Sequence, residues 1–240
     1  MNQVALITGA SRGLGAVLAR FLAQQGYDLV LTARAEEALG HIAQSLQQYG
    51  GTVLALPGDV SEQAHRQRLI ETATSNFGRL DLLINNASTL GPSPLPPLAE
   101  YGLEDFEQVI ATNVIAPLGL TQEALPLLKK SGGLVINVSS DAAVGGYPGW
   151  GGYGASKAAL DLVSLTLANE LQDEGVGVVS VDPGDMRTQM HQDAFAGEDI
   201  SDRPLPDVTI PFWAWLLGQE HLAVNGRRYQ AQNETWTVAA

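Results

Sequence analysis

Short, largely apolar runs recur along this chain at residues 4–7, 29–31, 53–56, 82–84, 134–138 (broken by Asn137) and 176–181 (broken by Gly177 and Ser180), with a weaker candidate at 228–231. The first six lack the in-and-out alternation of a half-exposed strand, so each predicts a parallel strand covered on both faces. The segments between them carry a helical period instead. Val17, Leu18, Phe21 and Leu22 repeat along 16–25 and Gly26 stops that helix, while Leu39, Ile42 and Leu46 mark a second over 35–49. Ser61 is placed to cap a third helix reaching residue 76, and a fourth spans 103–128 with an interruption at Pro117. A fifth, over 152–173, is apolar around much of its circumference, which implies core on one side and a second subunit on the other. Strands alternating with helices predict an α/β fold, a Rossmann-type doubly wound parallel sheet. No linker-like stretch divides the chain, so residues 1–240 are expected to form one domain.

The first strand runs directly into Thr8-Gly9-Ala10-Ser11-Arg12-Gly13-Leu14-Gly15. Glycine removes the Cβ atoms that would keep a pyrophosphate off the backbone, and the amides and positive dipole end of the following helix would face it. The spacing G-x-x-x-G-x-G departs from the G-x-G-x-x-G dinucleotide fingerprint, and a tight turn alone would also account for it. The second strand ends in Ala33-Arg34, which offers no carboxylate to ribose hydroxyls. Arg34 and Arg12 could instead flank a 2′-phosphate, so NADP(H) is expected in preference to NAD(H). Asp59-Val60 close the third strand, where Asp59 fits either a turn or an acceptor for an adenine amino group. Asn85-Asn86-Ala87-Ser88 close the fourth, at the edge where open α/β sheets bind ligands, although paired asparagines also suit turns.

Composition narrows the function classes. Hydrophobic residues make up 45% and charged residues 16%, as in a compact globule, and the formal net charge is -13 with only three lysines. Such a surface repels phosphate backbones and anionic membranes, so neither nucleic acid nor a membrane is an expected partner. With no cysteine there is no disulfide, thiolate metal site or thiol nucleophile, and the histidines His41, His65, His191 and His221 lack ligand spacing, so no metal is expected. The N-terminus has no secretory pattern and no apolar run approaches the ~20 residues of a membrane span, so a cytoplasmic location is expected.

The densest candidate chemistry is SSDAAVGGYPGWGGYGASK, residues 139–157. Tyr153 and Lys157 would share one helix face, and the glycine-rich run lets the chain double back to bring Ser140, 13 residues before Tyr153, to the same place. A phenol has an unperturbed pKa near ~10, and an adjacent ammonium lowers it, so Tyr153 could exchange a proton with a substrate oxygen. Taken alone, Y-x-x-x-K also fits an ordinary helical pair with a solvated lysine. Asn113, inside the interrupted helix, is expected to anchor a water through its amide and freed carbonyls. Pro183-Gly184-Asp185-Met186-Arg187-Thr188 follow the sixth strand at the same sheet edge. Tyr147, Pro148, Trp150, Met186, Met190 and Phe195 could form an apolar substrate wall, the proline-rich 89–97 would skirt the mouth, and 186–210 reads as a flexible lid.

In this order and at these distances, the glycine turn, Asp59-Val60, Asn85-Asn86-Ala87, Asn113, Ser140, Tyr153, Lys157 and Pro183-Gly184 before Thr188 resemble the short-chain dehydrogenase/reductase family, over nearly the whole chain up to Thr188. The resemblance implies a seven-stranded parallel sheet and a catalytic tetrad of Asn113, Ser140, Tyr153 and Lys157. Tyr153 would be the general acid for reduction, or base for oxidation, while hydride passes between the nicotinamide and a carbonyl carbon. Ser140 would hydrogen-bond the developing alkoxide, Lys157 would lower the Tyr153 pKa and hold the nicotinamide ribose, and Asn113 would keep a water in the proton relay. Gly9, Ser11, Arg12, Leu14, Asp59, Val60, Asn86, Ala87 and Thr188 would line the cofactor by the same transfer, with Gly13, Gly15, Arg34, Pro183, Gly184 and Met186 completing the contact set. Two departures stand out. Ser88 replaces the family's usual glycine, which would tighten the cofactor pocket, and the ending NGRRYQAQNETWTVAA lacks the common Asp-Gly-Gly, which leaves a homodimer through 103–128 and 152–173 as open as a homotetramer. The expected function is an NADPH-dependent carbonyl reductase acting on a ketone, an aldehyde or the corresponding secondary alcohol. The alternative is a non-enzymatic NADP(H)-binding redox sensor on the same fold.

Overall fold

The seven apolar runs become strands β1 (Val4–Thr8), β2 (Asp28–Ala33), β3 (Val53–Pro57), β4 (Leu82–Asn85), β5 (Leu134–Val138), β6 (Gly177–Asp182) and β7 (Arg228–Gln230). In the computed structural model, which describes residues 2–238, they pair in parallel in the order β3-β2-β1-β4-β5-β6-β7. Every residue of β1, β5 and β6 is buried. Successive side chains enter opposite cores: Ala5, Ile7, Leu29, Leu31, Ile84 and Ile136 one, Val4, Leu6, Val30, Leu83 and Val135 the other. Both cores are apolar, which is why the strands show no alternation.

Helix α1 (Gly13–Gln24) and the late helix over Ile210–Leu217 cover the first core, with Leu18, Leu22, Phe212 and Trp213 fully or nearly fully buried. Leu69 of α3 (Gln63–Phe77), Leu120 and Leu128 of α5 (Ala116–Ser131), and Leu167 and Leu171 of α6 (Gly151–Leu171) fill the second. Helix α2 (Glu36–Leu46) packs beside β3 at the edge. The strand order reverses between β1 and β4, so the connections leave to opposite faces and open a crevice at the strands' C-terminal ends.

Four local expectations change. Helix α1 starts at Gly13, inside the glycine turn, so the turn itself supplies the helix's first amides. Helix α3 starts at Gln63 with Glu62 at its cap and no side-chain cap bond. The Ser61 amide instead donates to Asp59 Oδ1 at 2.8 Å, because the chain must turn at Asp59 before the helix begins. The long helix is broken at a π-helical turn, Ala111–Ile115, between α4 (Leu103–Ile110) and α5, and Pro117 follows that turn in the first turn of α5, so the break comes before the proline and not at it. Within 186–210 lies a short helix α7 (Gln189–Ala194), capped by the Thr188 hydroxyl, which accepts the His191 amide at 3.2 Å. Six residues are too few to show a period in sequence. Helix α8 (Ile210–Leu217) completes the set, and among the described residues no helix is long and apolar enough to cross a membrane.

A buried polar seam fixes how α6 sits on the sheet. Asn85 Nδ2 donates to Asn137 Oδ1 at 2.8 Å, Asn137 Nδ2 donates to Ser164 Oγ at 2.7 Å, and that hydroxyl donates to the Leu160 carbonyl at 2.6 Å. Asn85 and Asn137 are register partners, so β4, β5 and α6 meet through one amide. Asn137→Val removes the acceptor of the buried Asn85 amide and the amide that donates to the Ser164 hydroxyl; urea unfolding should show a loss of about 3 kcal/mol. Removing an exposed hydroxyl on the same helix, Thr166→Ala, should change stability by no more than about 0.5 kcal/mol.

Candidate active site

Glycine 9 and glycine 13 take positive φ values of 67° and 56°, which L side chains resist, and they aim the turn across the end of β1. Gly15 is needed for space: a Cβ there would stand 2.2 Å from the Gly9 carbonyl oxygen and 2.7 Å from the Asn86 amide nitrogen. Asn86 Nδ2 in turn donates to the Thr8 carbonyl at 2.9 Å, and the Thr8 hydroxyl accepts the amides of Asn86 and Ala87. The ends of β1 and β4 are thereby locked side by side. The N-terminus of α1 has no side-chain cap and no acidic residue in its first turn, and Arg12 occupies its cap position. Its amides and dipole therefore face outward unneutralised.

This turn forms one end of a cavity of about 740 Å³. Arg12 and Arg34 both line that end, and the Arg34 charge helps to hold the Asp59 carboxyl below its usual range, together with the Ser61 hydrogen bonds and against burial. Every residue expected at the site lines the cavity except Gly15 and Asn113, which lie behind the wall. Thr188 comes within van der Waals reach of the glycine turn, where a Cβ on Gly13 would lie 3.5 Å from its methyl.

At the far end, α6 presents Tyr153 and Lys157 next to Ser140, as the helical spacing requires. The Lys157 ammonium donates to the Val138 carbonyl at 2.7 Å and lies 5.5 Å from the centroid of the Tyr153 ring. Ser140 Oγ donates to Asp141 Oδ1 at 3.0 Å and accepts the Ala142 amide at 3.2 Å. Trp150 packs edge-on to Tyr153 at 5.9 Å, and Phe195 lies 6.0 Å beyond Trp150. All six residues of the expected apolar wall line this end.

The sequence of the chain matches the model of the family described as short chain dehydrogenase over residues 3–199. It is 33% identical over 237 residues to YciK, an uncharacterised oxidoreductase of Escherichia coli, covering 96% of this chain and 92% of that one. It is 34% identical over 246 residues to serine 3-dehydrogenase of Agrobacterium fabrum, covering 98% and 96%. Among solved structures, a Shigella flexneri 2a protein described as a short chain dehydrogenase, in complex with NADP, superposes with a TM-score of 0.90 at 32% identity, covering 97% of this chain and 98% of that one. The chain belongs to the short chain dehydrogenase family. It is an oxidoreductase.

In this dehydrogenase the structure modifies two expectations about the site. Any lowering of the Tyr153 phenol by Lys157 is outweighed. Burial pushes that phenol well above its ordinary value, the Asp182 and Asp141 carboxylates push the same way, and the facing hydroxyls of Ser140 and Ser88 only partly offset them. Burial also pushes Lys157 down to about 8, against the pull of Asp161, and its hydrogen bond goes to a carbonyl and not to the phenol. The Asn113 amide, for its part, is spent on protein. Its Oδ1 accepts from the Ser88 hydroxyl at 3.1 Å and the Thr89 amide at 2.9 Å, and its Nδ2 donates to the Thr89 carbonyl and to Ser156 Oγ, both at 2.9 Å. Both lone pairs and both protons are used, so the side-chain amide has no place left for a water, and of the expected anchors only the backbone carbonyls of the turn remain. The π-helical turn has pushed it under the 88–89 loop, which it ties to α6.

Sequence reasoning passed over Asp141, Asp182 and Asp185, which line the cavity, and Gln232, whose Nε2 donates to the carbonyls of Pro183 at 3.0 Å and Asp185 at 2.9 Å. Gln232 stands in the C-terminal segment that lacks Asp-Gly-Gly, and it holds the 183–188 loop from there. Asp141 and Asp182 adjoin Ser140 and Pro183 in the chain, a signal that could have found them. The Lys157 shift has a measurable signature. Because the folded chain gives up that proton near pH 8 and the unfolded chain only near the ordinary value of 10.5, stability from this group rises with pH between about 8 and about 10, above which the raised Tyr153 opposes it. Urea unfolding of wild type against Lys157→Met should show the difference in stability moving toward wild type across that window.

Proposed function

We propose that this dehydrogenase is an NADP(H)-dependent carbonyl reductase, in which Tyr153 protonates the oxygen of a ketone or aldehyde. The observation that carries the reading is the shared wall on which Ser140, Tyr153 and Lys157 meet, at the opposite end of one cavity from the glycine turn with Arg12 and Arg34. The uncapped α1 amides and the close-packed Gly9, Gly15 and Asn86 fit a dinucleotide pyrophosphate, and NADP in the Shigella protein supports that cofactor here. The α1 amides, Ser11 and Leu14 would hold the pyrophosphate end, Arg12 and Arg34 the 2′-phosphate, Asp59 and Val60 the adenine, and Asn86, Ala87, Pro183, Gly184, Met186 and Thr188 the nicotinamide half. Bound NADPH supplies the hydride.

A phenol held above its ordinary pKa stays protonated through the neutral range, the state in which it can donate to a substrate oxygen. Ser140 hydrogen-bonds the same substrate oxygen once its hydroxyl turns from Asp141. Lys157 keeps positive charge behind the phenol as the phenolate forms. Asn113 acts as a positioning residue for the 88–89 loop. The name of the Agrobacterium relative fits the alcohol side of the same exchange. Residues 186–210, carrying Met190 and Phe195, serve as the lid, and exposed Leu103, Ile115, Leu162 and Leu165 on α4 to α6 supply apolar surface for a homodimer or homotetramer.

Two variants test this. Tyr153→Phe should lower kcat with NADPH and a panel of ketones and aldehydes by at least about a thousandfold while NADPH fluorescence still reports binding; turnover near wild type removes Tyr153 from the proton step. Arg34→Asp should shift the ratio of kcat/KM for NADPH over NADH by about tenfold or more toward NADH, and an unchanged ratio would clear Arg34 of any part in phosphate recognition.

A further inference from the structure

We propose that Arg228, the first residue of β7, is a positioning residue for the proton-transfer centre, its one guanidinium holding the ends of β5 and β6 and the middle of α6 in register. Its Nε donates to Asp161 Oδ2 at 2.9 Å, and its Nη2 donates to the Ser140 carbonyl at 2.7 Å and reaches Asp182 Oδ2 at 3.4 Å. Each partner adjoins a different working part. Ser140 carries the hydroxyl itself. Asp182 leads into the Pro183-Gly184 loop and anchors it by accepting the Gly184 amide at 3.0 Å. Asp161 lies one helical turn beyond Lys157 on α6.

Arginine suits this place because its planar fork reaches three acceptors at once, which an ammonium on a flexible stem does not do with fixed geometry. The Asp182 and Asp161 side chains are only 5% and 17% exposed, so each is an anion that needs a partner. Among the described residues Asp161 has no other hydrogen-bond partner, and its Oδ1 is buried without one.

The electrostatic consequence follows from what faces each group. Tyr153 is faced by the Ser140 and Ser88 hydroxyls, the Asp182 and Asp141 carboxylates and the Lys157 ammonium. Lys157 is faced by Asp161 and the Tyr153 ring, and Asp182 by Arg228, Asp141 and the Gly184 amide. Arg228 is the cation that pairs with both Asp161 and Asp182. Without it Asp161 raises Lys157 further and Asp182 raises Tyr153 further, while the Ser140 carbonyl loses the donor that fixes its turn.

The inference rests on the reductase reading, and its test separates the two. With a carbonyl compound that wild type reduces, Arg228→Met should lower kcat by about tenfold or more, leave KM for NADPH within about twofold, and move the basic limb of the kcat profile upward by about half a pH unit or more. Arg228→Lys, which keeps the charge and loses the fork, should keep the wild-type limb while kcat stays depressed. A basic limb unmoved in Arg228→Met, or a kcat loss that merely follows the folded fraction by near-ultraviolet circular dichroism, overturns the assignment. If wild type reduces no carbonyl compound, the reductase reading fails by itself. The Tyr153 phenolate absorbance, taken as the difference from Tyr153→Phe, then reads the same shift without turnover. No upward shift in the Arg228→Met background overturns the proposal on that route too.

Discussion

An ammonium with 2% of its surface exposed is the constraint around which the crevice is built. A buried cation is tolerated only where fixed dipoles replace the water it has lost, and Lys157 finds the carbonyl of Val138, the last residue of β5. That bond forms only if the first turns of α6 lie directly against the end of β5. Glycine makes the approach possible: a Cβ on Gly154 would stand 2.6 Å from the Ala142 carbonyl oxygen, and one on Gly152 would stand 2.4 Å from the Tyr101 ring. The Asn85, Asn137 and Ser164 seam holds the same helix from below. Tyr153 takes its place as a consequence, one turn before a lysine that cannot move.

The π-helical turn solves a related problem on the neighbouring wall. One wider turn pushes Asn113 to full burial, where its amide spans from the 88–89 loop to Ser156 of α6. The loop carrying Ser88, which continues from the β4 end, and the helix carrying Tyr153 are thus cross-linked by hydrogen bonds that contain no charge. Because Ser88 donates to Asn113 and also faces the Tyr153 phenol, the serine at this position couples the two.

The strands, the glycine turn and the Tyr153–Lys157 pair were legible because each depends on local spacing: largely apolar runs, Cβ-free positions, a one-turn helical offset. The π-turn was not, since no residue type marks it and Pro117 offered a nearer explanation for the break. The cap at Ser61 was misread because Asp59, two residues earlier, draws the Ser61 amide into a turn of its own, and the helix begins only at Gln63. The Tyr153 shift reversed sign because spacing gives proximity and says nothing of burial, and burial is the largest influence on both groups. Arg228 was invisible for another reason. It stands 88 residues from Ser140, and only the β5-β6-β7 register brings a residue from the end of the chain to the catalytic serine.

The acidic character of the chain is unevenly distributed over the cavity, with Arg12 and Arg34 at the turn end and Asp141, Asp182 and Asp185 at the Tyr153 end. Coulomb interactions across a partly buried cavity are weakly screened, so a free alkoxide beside those carboxylates would be disfavoured. For the proposed reduction this has a direct consequence. Negative charge on the substrate oxygen must be neutralised as it develops, and the proton within reach is the one that burial and the same carboxylates hold on Tyr153. The surroundings that make the phenolate costly keep Tyr153 protonated but also weaken it as an acid, so a positive charge beside the phenol matters to the transfer. Lys157, pushed down only to about 8, still carries its charge at neutral pH and limits the cost of the phenolate left behind. The two opposite shifts come from one cause, burial, which penalises the charged form of each group: it holds the proton on Tyr153 and loosens the one on Lys157.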